Sequence, residues 1–415
     1  MKGASDMTVF ETLTERFADS GFGCFYRQYQ VLILCTVLAL FLGSSWLGNV
    51  MLIESASEYY NQIYDTVFLV LRYASYAAMA LCILCALGLR QYRLWPFVIY
   101  LAVTGLVFFF SRSTEFMILM LAVGSMAVLP RKTLFRVVLI IQTATLTMIP
   151  LFAALGLFPN VIMDTERIRY SLGFTWVTSA PVLFVFASML FLHLERKRLN
   201  GWIFVFLLQL ATALFILTDT KMAFFTTIFV LVITLTWWQK PSWLDWLENR
   251  WVKLVVLWLP VILTIVAMLL AGLYQGAGFM GKLNDILSGR LANAAEAWQK
   301  YGLSFFGQSI VWAGQGITYK PGMQYLYVDC SYLNILLNYG LIFLLLVFSW
   351  CRQVVLDLYR RHDMLYLAFF VVILLFSFVE VRLINPLYNP FILAGGSYIK
   401  LTERRKEMLP NDIHS

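Results

Sequence analysis

Charge is scarce in this sequence. Only 13% of its 415 residues are Asp, Glu, Lys or Arg, about half the ~25% usual in soluble domains. That scarcity excludes a set of water-soluble domains, although the length alone would suggest two or three. Histidine is nearly missing, with His193, His362 and His414 the whole supply. The six cysteines (Cys24, Cys35, Cys82, Cys85, Cys330 and Cys351) show no metal-ligand spacing. Cys82 and Cys85 stand three apart inside an apolar run, where a thiol serves as a small core residue and not as a redox pair. There is no P-loop, no dinucleotide fingerprint and no serine-hydrolase elbow, nor any internal repeat or low-complexity tract. A cleavable signal peptide is not expected either. The first 29 residues are polar and mixed in charge, and the first apolar run is long enough to be a full span.

What is abundant is apolar surface: 61% of residues, with a mean hydropathy of +0.77. Long apolar runs recur from residue 30 to residue 399. They predict an all-α polytopic membrane helical bundle of about twelve transmembrane helices. The fourth run, 116–129, is short. The last, 383–399, holds Asn385, Pro386, Pro390 and the Gly395-Gly396 pair, so it is expected to be broken or partly re-entrant. The expected organisation is an N-terminal segment 1–29, a first part of the bundle 30–273, a long loop 274–331, a second part 332–399 and a tail 400–415.

The net charge of +8 suggests nucleic acid until its distribution is read. About two-thirds of the 31 basic residues fall in alternate loops, including Arg90 and Arg93, Arg131 to Arg136, Arg196 to Arg198, Arg360 and Arg361, and both termini. The positive-inside rule makes those loops and both termini cytoplasmic. All three histidines then map to the cytoplasmic side or the tail, leaving the outer side without a histidine base or ligand. No nucleic-acid partner, metal or cofactor is expected. ATP is not available outside, so an enzyme there needs a substrate that arrives already activated.

The same partition places loop 274–331 outside. A structureless loop longer than ~15 residues is unusual in a compact protein, and this one has a helical period. Leu283, Ile286, Leu287, Leu291, Ala294, Ala295 and Trp298 share a face, and Gly302 stands where a helix should stop. It reads as a folded cap. Ser288-Gly289-Arg290 marks a helix restart within it, with Ser288 as the expected cap and free N–H groups favouring an anion.

Several arginines collect near the outer ends of spans against the positive-inside trend: Arg112, Arg167, Arg169, Arg290 and Arg382, together with Lys221. Arg72 lies inside a span, about 9 Å below its outer end. It either snorkels or faces an internal polar cavity. The planar fork of arginine suits a diphosphate. The bland alternative is pairing with Asp164, Glu166, Glu380 or lipid phosphate. Asp329, closing the long loop, is either an N-cap carboxylate competing with Ser331 or a general base or acceptor-binding group at the mouth of the bundle. Asn334 and Asn338 follow one turn apart and should face the bundle interior. Glu115, Asp219 and Glu380 are further outer carboxylates without a ranking.

Four stretches taken together resemble the Wzy-type polysaccharide polymerases of the O-antigen polymerase/ligase family. They are RYSLGF from Arg169, TDTKMAFF from Thr218, SGR from Ser288 and DCSYLNILLNYGL from Asp329, and the resemblance covers roughly residues 134–399. Where family members often continue from Gly-Phe to His-Pro-Asn, this chain has Thr175-Trp176-Val177. Where they often carry Ser-Arg, it has Thr220-Lys221. The loop histidine typical of the ligase branch is missing.

The resemblance implies a membrane glycosyltransferase acting on undecaprenyl-diphosphate-linked glycan in the bacterial plasma (inner) membrane, with the bilayer, a chain-length regulator and a flippase as further partners. It implies that Arg290, Arg169 and Lys221, and less centrally Arg167, Arg112, Arg72 and Arg382, hold the diphosphate; the candidate catalytic residues are Asp329, as base or acceptor site, and Arg290. The rivals are an O-antigen ligase moving glycan to a lipid A core, and a transporter or flippase of lipid-linked sugar.

Overall fold

The structure is a computed structural model that describes residues 12–48, 50, 58–160, 168–313 and 325–401. The regular secondary structure of the described residues is helical, apart from three isolated antiparallel bridges. Eight helices are long and apolar enough to cross a membrane. They fall within α1 (Gly21–Leu47), α2 (Glu58–Gly88), α3 (Leu94–Ser111), α5 (Arg131–Ala154), α7 (Gly201–Thr218), α8 (Lys221–Gln239), α9 (Arg250–Gly272) and α12 (Ser331–Arg360). Three more are apolar but shorter: α4 (Thr114–Met126), α6 (Ser179–Leu194) and α13 (Met364–Phe376). This is a polytopic, all-helical bundle, and its exposed Leu, Val, Ile and Phe faces suit lipid, which as a solvent needs no polar covering.

Short polar residues set the helix ends. Ser113, Asn200, Asn249 and Asp363 each accept a backbone N–H from the first turn of α4, α7, α9 and α13. Arg112 and Asp219 adopt the left-handed conformation that closes α3 and α7. Helix α12 is the centre of the bundle: 61% of its membrane-length window is buried, against 17% for α2. Around it α6, α13 and the segment after α13 form the apolar core.

The twelfth apolar run is not a transmembrane helix. Residues 383–399 form turns, one short helix α14 (Phe391–Ala394) and a 3₁₀ turn (Gly395–Tyr398). Proline and asparagine prevent a continuous helix, so the freed backbone must find other partners. Gln142, midway along α5, donates its side-chain amide to the carbonyls of Leu387 and Tyr388 at 3.1 and 2.9 Å. Asn389 donates to Leu383 O at 2.7 Å. Gly396 passes so close to α4 that a methyl there would lie 2.5 Å from Val123 O.

The segment begins beside Asp329, as shown below, and ends against the opposite end of the bundle. There Arg93 N donates to Ile399 O and Leu401 N donates to Gln91 O. At that same end Arg90 reaches Thr14 and Glu15. The two ends of the described chain therefore lie at one end of the bundle, as the loop charges anticipate.

The long loop is a folded cap. Helices α10 (Gly278–Ile286) and α11 (Arg290–Tyr301) are separated by Ser288 and Gly289, both at positive φ. Two expectations need correction here. Ser288 does not cap α11: Gly289 is the N-cap residue and no side chain bonds from that position. Instead Asn284, reaching from the preceding helix, accepts the Ala292 N–H at 2.9 Å. The shared apolar face also stops at the break. Leu291, Ala294 and Ala295 are buried, whereas Ile286 is 78% exposed, because the turn at Ser288-Gly289 rotates α10 away. Gly302 ends α11 as expected, with its N–H on Trp298 O.

Beyond α11 the cap enters the bundle. Helix α12 breaks at Gly340, whose φ of 81° and ψ of 174° are not helical. The amides of Leu341 and Ile342 leave the helix and donate to Ser304 O and Phe305 O of the cap at 2.9 and 3.0 Å. In return Gln308 N donates to Asn338 O at 3.1 Å. Cap backbone thus completes the hydrogen bonding of a core helix. Both contact residues must be glycine. A methyl at Gly340 would lie 2.5 Å from Phe305 O, and one at Gly307 would lie 2.8 Å from Tyr339 Cα.

Candidate functional site

The end of the bundle opposite the chain termini carries two groups of the singled-out residues. The first surrounds a cavity of about 390 Å³ between α1, α2, α4, the start of α12 and residues 381–388. Arg72 and Arg382 line it, with Glu115, Asn334, Asn385 and the rings of Tyr76, Tyr327, Tyr339 and Tyr388. Arg72 does not run outward along its helix. Its Nε donates to Tyr76 Oη at 2.5 Å, and its guanidinium lies 5.6 Å from the Phe68 ring centre. Of the two expectations for this residue, the internal cavity is the one observed.

Arg382 sits 4.4 Å over the Tyr388 ring, with Nε 3.3 Å from Glu380 Oε1. That distance is within ion-pair reach, but the approach is off the direction of a good hydrogen bond, and Nε has no other partner among the described residues. Here the bland pairing holds, and Arg382 is balanced by Glu380. Burial raises the Glu380 carboxyl above its usual range, and Arg382 opposes the shift. Burial also pushes the Tyr325 phenol up to about 12 and Tyr327 further up. These rings are neutral at physiological pH.

Between the cavity-lining residues Tyr327 and Ser331 stands Asp329, to whose Oδ2 Arg290, the first residue of α11, donates Nε at 2.7 Å. The two side chains are 31% and 27% exposed. The bond is short, charge-assisted and joins the cap to the mouth of α12. Asp329 is not an N-cap. Cys330 takes that position without a side-chain bond, and Ser331 also leaves the role open, donating Oγ to Glu380 O at 2.6 Å and accepting Leu383 N at 3.2 Å. The serine therefore fastens the Glu380–Leu383 strip to the start of α12.

Asn334 and Asn338 face inward, as expected, and form a ladder. Trp312 Nε1 of the cap donates to Asn338 Oδ1 at 3.0 Å, Asn338 donates to Asn334 Oδ1 at 2.9 Å, and Asn334 donates to Val328 O at 3.1 Å. Asp329 thus sits next to a backbone carbonyl fixed by this ladder.

The second group is Arg169 with Lys221. Arg169 Nε donates to Thr218 O at 2.9 Å, and Tyr170 N donates to Leu217 O at 2.9 Å, which brings the RYSLGF stretch onto the turn before α8. Lys221 opens α8 and is exposed. A stack of rings connects the two groups: Trp46 packs against Phe174 at 5.8 Å on one side and Tyr388 at 5.1 Å on the other. Arg112 joins neither group; it is exposed, with its guanidinium 4.8 Å from the Phe109 ring. Arg167, and the suggested partners Asp164 and Glu166, lie outside the described residues. Among the described residues no three His, Cys, Asp or Glu side chains are grouped to hold a metal ion.

Sequence reasoning missed the four tyrosines, Asn385 and Asn284. Only Asn385, before Pro386 in an apolar run, gave a local signal. No known family model, curated protein or solved structure matches the chain.

Proposed function

We propose that this chain is a membrane glycosyltransferase that polymerises undecaprenyl-diphosphate-linked repeat units of a surface polysaccharide. It works in the bacterial plasma membrane with about twelve crossings, 383–399 being the last and non-helical one. Both ends are cytoplasmic and the cap is outside. The observation that carries the reading is the juxtaposition, at one end of an apolar bundle, of a polar tyrosine- and arginine-lined cavity with the Arg290–Asp329 pair, whose Asp329 stands between the lining residues Tyr327 and Ser331. A lipid-linked substrate needs such an arrangement, with the polar head at the outer end and the tail among the spans.

In the reaction an acceptor hydroxyl oxygen attacks the anomeric carbon of the donor, the bond from that carbon to the diphosphate oxygen breaks, and the hydroxyl proton passes to a base. Asp329 is the proposed base, oriented by Arg290. Lys221 and Arg169 are proposed to stabilise the charge of the departing diphosphate. The test is incubation of the purified protein with a lipid-linked repeat unit. A ladder of longer glycans supports the reading, and its absence contradicts it.

Segment 383–399 favours a second reading. Irregular backbone crossing a bundle is a feature of transporters, so movement of lipid-linked sugar across proteoliposomes without a ladder would select transport.

A further inference from the structure

We infer that the cavity is a subsite for an uncharged sugar ring of the substrate, and not for its diphosphate. The inference rests on the glycosyl-transfer reading above and adds to it the class of group that each part of the outer end receives. The first observation is the charge balance. Arg72, Arg382 and Glu115 line the cavity, Glu380 lies against Arg382, and Asp329, between the lining residues Tyr327 and Ser331, lies against Arg290. Two of the three arginines are already joined to carboxylates, at 2.7 and 3.3 Å. A diphosphate placed here would meet as many negative groups as positive ones.

A pyranose has the opposite requirements. Each hydroxyl both donates and accepts, so it matches guanidinium donors, carboxylate acceptors and asparagine amides that do both. Its apolar face suits an aromatic lining. The volume, about 390 Å³, is at the small end of the ~300–1,000 Å³ typical of small-molecule sites. It suits a ring or two, not a long glycan.

The second observation is where unbalanced positive charge does lie. Lys221, exposed at the start of α8, has no acidic partner among the described residues. It stands three residues from the carbonyl that holds Arg169. That station, across the Phe174–Trp46–Tyr388 ring stack, is where a diphosphate finds charge to match it.

The experiment measures equilibrium binding to the full-length protein in detergent, by calorimetry. The probes are farnesyl diphosphate and, separately, glucose, galactose, mannose and N-acetylglucosamine at millimolar concentrations. At least one saccharide is expected to bind saturably. Glu115→Gln, which changes an exposed carboxylate, should weaken it roughly tenfold or more, as for loss of a hydrogen bond to a charged group, and should leave farnesyl diphosphate unchanged. Lys221→Gln should do the reverse. A diphosphate seated in the cavity would instead bind more tightly after Glu115→Gln. That result overturns the inference, as does failure of all four saccharides to bind or indifference of saccharide binding to both Glu115→Gln and Arg72→Gln. Failure of the two readings is distinguishable. Saccharide binding with no glycan ladder retires the polymerase and leaves the subsite. A ladder that both variants extend at the wild-type rate retires the subsite alone.

Discussion

At the residue scale the Arg290–Asp329 bond separates two ways in which Arg290 could matter. The pair is about 30% exposed on each side, and partly exposed pairs contribute at most about 1 kcal/mol to stability. A large loss of rate in an Arg290 variant therefore does not come from unfolding. Charged hydrogen bonds are worth roughly 1.5–3 kcal/mol each, and each ~1.4 kcal/mol in a barrier is tenfold in rate. Arg290→Lys, which keeps the charge without the fork, should slow chain growth roughly ten- to hundredfold, and Arg290→Ala should slow it further at normal abundance. Lys300→Ala, on the same helix beside the Tyr301 ring, is the control and should be near wild type. Normal growth in Arg290→Ala would remove the residue from the mechanism.

Glu380 gives a prediction in pH. Burial raises its carboxyl above the ordinary 4.5, and Arg382 opposes this. The folded protein then keeps a proton that the unfolded chain has lost. The contribution of this group to stability is full below about 4.5 and disappears as pH rises through the raised value. Arg382→Met removes the opposing charge, so the decline should extend to higher pH. Thermal unfolding in detergent across pH measures it, and identical profiles for the variant and wild type would contradict the assignment.

Legibility at this scale followed chemistry type. Arginines and Asp329 stood out because charge is rare in an apolar chain. The four cavity tyrosines did not, since 21 tyrosines are scattered through the sequence and only the fold brings these together. Arg72 left two readings open because one charged residue in a span reveals nothing about which way it turns.

At the element scale the Gly307–Gly340 contact ties the cap to α12. Gly340→Ala places a methyl against backbone that cannot rotate aside, so a destabilisation of more than about 4 kcal/mol is expected. The cap should undock, and limited proteolysis within 274–313 should quicken. Gly43→Ala in α1, where a methyl meets nothing within 4 Å, is the control and should be neutral or slightly stabilising. Equal proteolysis in the two variants would contradict the docking. Asn284→Ala should cost about 0.5–2 kcal/mol through loss of the α11 cap.

The helix positions were readable from apolar runs alone, and so was the Gly302 stop. The α11 cap was not, because Asn284 acts across a turn and stands six positions before Arg290. Nor was the break of α12 at Gly340, since its physical cause is a strip of backbone from more than thirty residues earlier. The failure of 383–399 to form a helix was half visible in its prolines. What holds the segment, the Gln142 amide, was not.

At the scale of the whole molecule, loop charges and structure agree that the two ends of the described chain lie together, away from the cavity. Topology follows as a prediction. In a Cys330→Ser background, a membrane-impermeant thiol reagent on intact spheroplasts should label Ile286→Cys, a 78% exposed position on the cap, and spare Cys24. Labelling of Cys24 alone would invert the bundle.

The central claim is that this end of the bundle makes glycosidic bonds from a diphosphate-linked donor. Its most direct measurement is stoichiometric: reconstituted protein, a radiolabelled lipid-linked repeat unit, and simultaneous counting of glycan length and released polyprenyl diphosphate. The account predicts one polyprenyl diphosphate released for each repeat unit joined, with both products lost in Asp329→Ala. Glycan that crosses the membrane while every repeat stays on its lipid would contradict it.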